Sequence, residues 1–67
     1  MIAQVRLIQH MGKTVTLTLS TMSITGTLKE ITQDLVILET VTEDKVETVY
    51  VLIPQILAIR VPGNASL

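Results

Sequence analysis

The sequence has no cysteine, no tryptophan and no phenylalanine, and its one aromatic residue is Tyr50. Without cysteine, neither a disulfide nor a thiolate zinc site can staple the chain. With one ring it has no set of platforms on which successive bases could stack. Charge is sparse and balanced, five Lys and Arg against six Asp and Glu for a net −1, so no strong electrostatic footprint for nucleic acid exists. A single histidine, His10, leaves no cluster for a metal or a proton relay. No Gly-rich phosphate cradle, nucleophile elbow or metal-ligand spacing occurs. Glu43, Asp44 and Glu47 gather with Lys45, which is the composition of a solvated turn. With no positioned acid, base or nucleophile, the protein is not expected to be an enzyme. No metal, cofactor or small-molecule substrate is implied.

Long apolar runs are missing too. Nothing approaches the ~20 residues of a transmembrane helix. MIAQVRLIQHMG is broken by Gln4, Arg6, Gln9 and His10, so it does not read as a secretory signal. These two features predict a cytoplasmic protein with no membrane partner. Asn64-Ala65-Ser66 fits a glycosylation pattern and, in that setting, is read as chance.

What the chain does have is apolar surface: 48% of its 67 residues are hydrophobic. A domain of this size buries only about 60% of its unfolded surface and is marginal alone. With disulfides and metals excluded, oligomerisation is the remaining route to extra stability.

Periodicity divides the chain. Ile2, Val5 and Ile8 recur at helical spacing, so a short helix over about 2–10 closed by Gly12 is the preferred reading. Val5 and Leu7 also alternate, which keeps a strand as the alternative. From Lys13 the period is two: Val15, Leu17 and Leu19 alternate with Thr14, Thr16 and Thr18. Ser20-Thr21 is a turn. Met22, Ile24, Gly26 and Leu28 continue the alternation, which puts Gly26 on the inward face. A glycine there marks a bulge, a bend or a close backbone approach. The phase slips between Leu28 and Ile31, which places a bulge near Lys29-Glu30. Thr32-Gln33-Asp34 is a turn, Leu35 to Leu38 is apolar on both faces, and residues 41–44 form a polar loop. Val46 to Ile53 is another β-prone run, ended by Pro54, and Ile56 to Val61 is the last. The expected strands are 13–20, 22–32, 34–40, 45–53 and 55–61. Short connections make consecutive strands antiparallel neighbours. The expected fold is all-β with a short N-terminal helix, a five-stranded antiparallel SH3-like barrel over residues 1–63 with a tail at 64–67.

Gly12-Lys13 leading into VTLTL, then ITGTLKEITQD and LVILE, resembles the first motif of the Sm and Sm-like family, in particular its bacterial Hfq branch. A second resemblance is to short Sm-like domains of spore-forming bacteria. Theirs is a pattern of L-I-x-x-x-G-K-x-V, G-T-L-x-x-I, V-I-L-E and Y-x-x-I-P-Q-I-L-x-I, read here from Leu7 to Ile59. The family resemblance implies an Sm-like barrel assembled as a homo-oligomeric ring of six or seven copies. In such rings the fourth strand of one subunit pairs with the fifth of the next. That arrangement names Val46, Val49, Tyr50, Val51, Ile56, Ala58 and Ile59 as the expected subunit interface. It also implies RNA or single-stranded nucleic acid as a partner, with Thr32, Gln33, Asp34 and Lys13 as candidate contacts. Of the family's RNA-contacting turn, however, only Gln33 is kept. The family's aspartate falls on Thr32 and its aromatic on Asp34, and Tyr50 to Gln55 carries none of the family's cations. Thr32-Gln33-Asp34 also reads as an ordinary turn, and Lys13, Lys29 and Arg60 as solubilising charges. The second resemblance implies the other role, a structural or protein-interaction scaffold.

Overall fold

A computed structural model describes residues 7–62. Of the helix expected over 2–10, residues 2–6 lie outside that span, as does the 64–67 tail. Residues 8–10 form only a 3₁₀ turn, Ile8–His10, which ends where Gly12 turns the backbone at φ +81°.

Five strands follow: β1 (Thr14–Thr18), β2 (Ser23–Ile31), β3 (Leu35–Thr42), β4 (Lys45–Leu52) and β5 (Ala58–Arg60). A second 3₁₀ turn, Ile53–Gln55, joins the last two. All pairings are antiparallel, in the spatial order β4-β3-β2-β1-β5. The fold is therefore all-β. Its sheet is not closed into a barrel, because β4 and β5 are its two edges. The barrel expected from the number and bending of the strands is thus not seen within one chain.

The inward positions of the alternating strands make the core: Val15 and Leu17 from β1, Leu28 from β2, Val36 and Leu38 from β3, Val51 from β4. Leu7 and Ile53 add to it from the two turns, and among the described residues no charged or polar side chain is buried. Each fully buried Leu or Val stabilises the fold by roughly 1.5–3 kcal/mol relative to leaving it exposed.

Two features of β2 mark its packing in the sheet. The β2–β3 register shifts between Leu28, opposite Leu38, and Glu30, opposite Ile37, so Lys29 is an extra residue on β2. This is the bulge signalled by the phase slip, and it brings Ile31 opposite the buried Val36. The other is Gly26, which pairs with Val15. A Cβ there would lie 2.8 Å from the Glu39 carbonyl oxygen and 3.0 Å from Thr40 Cγ2. The neighbouring β3 backbone lies so close to Gly26 that a side chain does not fit there.

Most strand ends fall one to three residues from the expected ones, and two of these differences have an identifiable cause. The polar loop at 41–44 shrinks to Glu43-Asp44, both with positive φ (49° and 68°), and β3 and β4 zip as far as Thr42 opposite Lys45. Positive φ at both central residues is the two-residue hairpin geometry that matches strand twist. At the other end, β5 starts at Ala58 and not at residue 55, because Pro54 lies within the 3₁₀ turn Ile53–Gln55.

Candidate functional site

The expected nucleic-acid turn is built by its threonine. Thr32 N–H donates to the Leu35 carbonyl (2.8 Å), while Thr32 Oγ1 accepts from Leu35 N–H (3.0 Å) and Asp34 N–H (3.3 Å). The hydroxyl is thus engaged in holding the β2–β3 connection. Gln33 and Asp34 are exposed at its tip. Ile53 N–H donates to the Asp34 carbonyl (2.9 Å), so this turn lies against the start of the Ile53–Gln55 turn. The exposed Gln33 and Gln55 amides each sit within two residues of that bond. Lys13 is elsewhere: its carbonyl accepts from Leu28 N–H, four residues before Thr32 on a strand rising ~3.3 Å per residue. The structure therefore joins Thr32, Gln33 and Asp34 to one another and to the second 3₁₀ turn, and leaves Lys13 at the opposite end of that stretch of β2.

The residues expected at a subunit interface divide by face. Along the β3–β4 hairpin, Leu35 opposite Leu52, Ile37 opposite Tyr50, Glu39 opposite Thr48 and Val41 opposite Val46 share the face turned away from the core. Val41, Val46, Tyr50 and Leu52 on that face are exposed, Tyr50 at 63%. Val51 points the other way and is in the core, with Val49 packed against it. At the β5 edge, Ile56 and Ile59 pack on the core and Ala58 is exposed. Leu57, just before β5, is 68% exposed and is the most exposed large apolar residue described. Its N–H donates to the Thr18 carbonyl (2.8 Å). Sequence reading had no means of separating Leu57 from its apolar neighbours, since Ile56-Leu57-Ala58-Ile59 carries no alternation.

Between the β1–β2 turn and the Ile53–Gln55 turn lies an open pocket of about 340 Å³, lined by Leu19, Ser20, Thr21, Pro54, Gln55 and Leu57. Its wall is half apolar and half uncharged polar. It was not foreseen, because its two sides are more than thirty residues apart in sequence. The outward face of β1 and β2 is a hydroxyl ladder, Thr14 opposite Thr27, Thr16 opposite Thr25 and Thr18 opposite Ser23, with Thr16 and Thr25 Oγ1 hydrogen-bonded at 2.8 Å.

The His10 Nδ1 is covered without a hydrogen-bond partner. Among the described residues, no group of three or more His, Asp or Glu could hold a metal ion. No described helix is long and apolar enough to cross a membrane. No protein-family model, curated protein or solved structure matches this chain.

Proposed function

We propose that this chain is an Sm-like subunit that assembles edge to edge into a homo-oligomeric ring and acts as a scaffold or binding module, not as a catalyst. One observation carries the reading. The five-stranded sheet is left open at β4 and β5, and each edge is flanked by exposed apolar side chains: Val46, Tyr50 and Leu52 at one, Leu57 at the other. An unpaired strand beside exposed apolar groups invites pairing with another chain. The two edges differ, so the contact is head-to-tail, and a head-to-tail contact that closes gives a ring. The neighbours' strands would then supply the closure that one copy lacks, completing an SH3-like barrel wall between subunits. The test is molar mass by light scattering at micromolar concentration. A hexamer or heptamer, six or seven times the 7.3 kDa chain, is expected. A monomer would sink the proposal.

A second reading is favoured by the junction of the Thr32-Gln33-Asp34 turn with the Ile53–Gln55 turn. There two exposed amides, Gln33 and Gln55, could hydrogen-bond base edges of RNA or single-stranded nucleic acid around the ring. Lys13, Lys29 and Arg60 would have to supply any phosphate contacts, so affinity should be weak and fall with salt. Absence of binding to poly-U and poly-A at low salt would remove this reading and leave the scaffold role.

A further inference from the structure

We infer that Tyr50 is the anchor by which one copy of the chain holds the next, its ring seated in the neighbour's pocket beside Leu57. The inference rests on the ring reading above and names the contact that holds the ring together.

Tyr50 is the chain's one aromatic side chain, and it is exposed on the strand at the β4 edge. An aromatic side chain with a polar tip gains most by entering a partner's pocket, where its ring is dehydrated and its hydroxyl still finds a partner. The pocket fits that chemistry. Leu19, Pro54 and Leu57 offer apolar walls, Ser20, Thr21 and Gln55 offer donors and acceptors, and no charged side chain lines it. A charged guest would lose its hydration there without gaining a counter-charge. A phenol brings an apolar ring and one hydroxyl.

Position makes the occupant a second copy. The pocket abuts the β5 edge, since Leu57 lines it and immediately precedes β5. Tyr50 belongs to the opposite edge of an unclosed sheet and does not line the pocket of its own chain. Charge points the same way. The 43–52 segment carries Glu43, Asp44 and Glu47 against Lys45, whereas the 53–62 segment carries one charge, Arg60. The acidic edge of one copy thus meets the basic edge of the next, which favours head-to-tail over like-to-like contact.

The chain has no tryptophan, so its intrinsic fluorescence is that of Tyr50 alone. The experiment is acrylamide quenching of the full chain across a dilution series, with light scattering on the same samples. Tyr50 should be shielded several-fold at concentrations where the protein is assembled, and exposed again on dilution. Assembled protein in which Tyr50 stays fully quenchable would overturn the anchor and leave the ring standing. A chain monomeric at every concentration would overturn both. Variants separate anchor from bystander. Tyr50→Ala should weaken association about thirtyfold or more, the scale of an interface hot spot, and Tyr50→Phe much less. Ser20→Arg, which fills the pocket from an exposed position, should weaken it similarly, and the double variant no further. Additive losses in the double variant would mean that Tyr50 and the pocket do not meet.

Discussion

Gly26 and Gly12 are both required by the backbone, for different reasons. Gly12 has φ +81° and open space around it, so its constraint is conformational. Gly26 has no such φ, and its constraint is space. In an ordinary strand, alanine for glycine gains about 0.5–1 kcal/mol. At Gly26 the added methyl meets the Glu39 carbonyl oxygen at 2.8 Å, a backbone atom that cannot swing aside. Forcing an extra methyl(ene) into such a site costs about 1–3 kcal/mol, so the clash wins. Gly26→Ala should therefore lower the urea midpoint at unchanged slope, and a midpoint at or above wild type would refute the close approach. Thr32 is the second residue whose role the geometry sharpens. Thr32→Ala removes the acceptor of two backbone N–H groups, and should cost about 1 kcal/mol in the same measurement. Any nucleic-acid affinity should survive it, since the hydroxyl faces its own turn; affinity lost without lost stability would put that hydroxyl in a binding site instead.

At the scale of elements, alternation located β1 and β2, because a half-buried strand must place apolar groups at every second position. In contrast, β3, β4 and β5 showed only as β-prone apolar runs bounded by turn and proline signals. At Lys29 the phase slip from Leu28 to Ile31 coincides with the bulge in the β2–β3 register. The 41–44 segment shows where periodicity stops informing. Val41 and Val46 are exposed on the face away from the core, so their pairing left no burial signal, and Thr-Glu-Asp-Lys lacks the Asn-Gly cue of a two-residue turn. Since Glu43 and Asp44 both hold positive φ, replacing them by Asn and Gly (Glu43→Asn with Asp44→Gly) relieves both positions. A gain of about 0.5–1 kcal/mol in thermal or urea unfolding is expected. A loss would mean that the acidic side chains contribute more than the backbone strain costs.

For the whole molecule, four of the eight large apolar residues exposed among the described residues lie at the sheet edges. These are Val46, Tyr50 and Leu52 on β4 and Leu57 just before β5, the others being Ile8, Met11, Met22 and Val41. Val46 is 61% exposed on the β4 edge strand, on the face turned away from the core. Val46→Lys should leave the fold of the single chain within about 0.5 kcal/mol of wild type, as surface substitutions generally do. A charge at an edge strand is the device by which sheets avoid pairing, so the same variant should shift the light-scattering mass toward the monomer. A fully assembled Val46→Lys protein would move the subunit contact away from β4.

Composition and period alone determined the all-β class, the antiparallel sense of β1 to β4, the inward positions Val15, Leu17 and Leu28, and the bulge at Lys29. All of these follow from interactions between near neighbours in the chain: pleat, steric preference and short connections. The expected pairing of β5 with β4 is replaced by pairing with β1, and burial of Val36 and Leu38 rather than Leu35 and Ile37 was not legible in a run apolar on both faces. Folding in three dimensions decided what periodicity cannot carry. It placed β3 against Gly26, left β4 and β5 as open edges, and turned Tyr50 outward while Val51 went to the core. It also drew residues 19–21 to residues 54–57 to make the pocket. Each of these depends on how far a bent sheet curls, a sum of twist and bulge over five strands that no single stretch of residues contains.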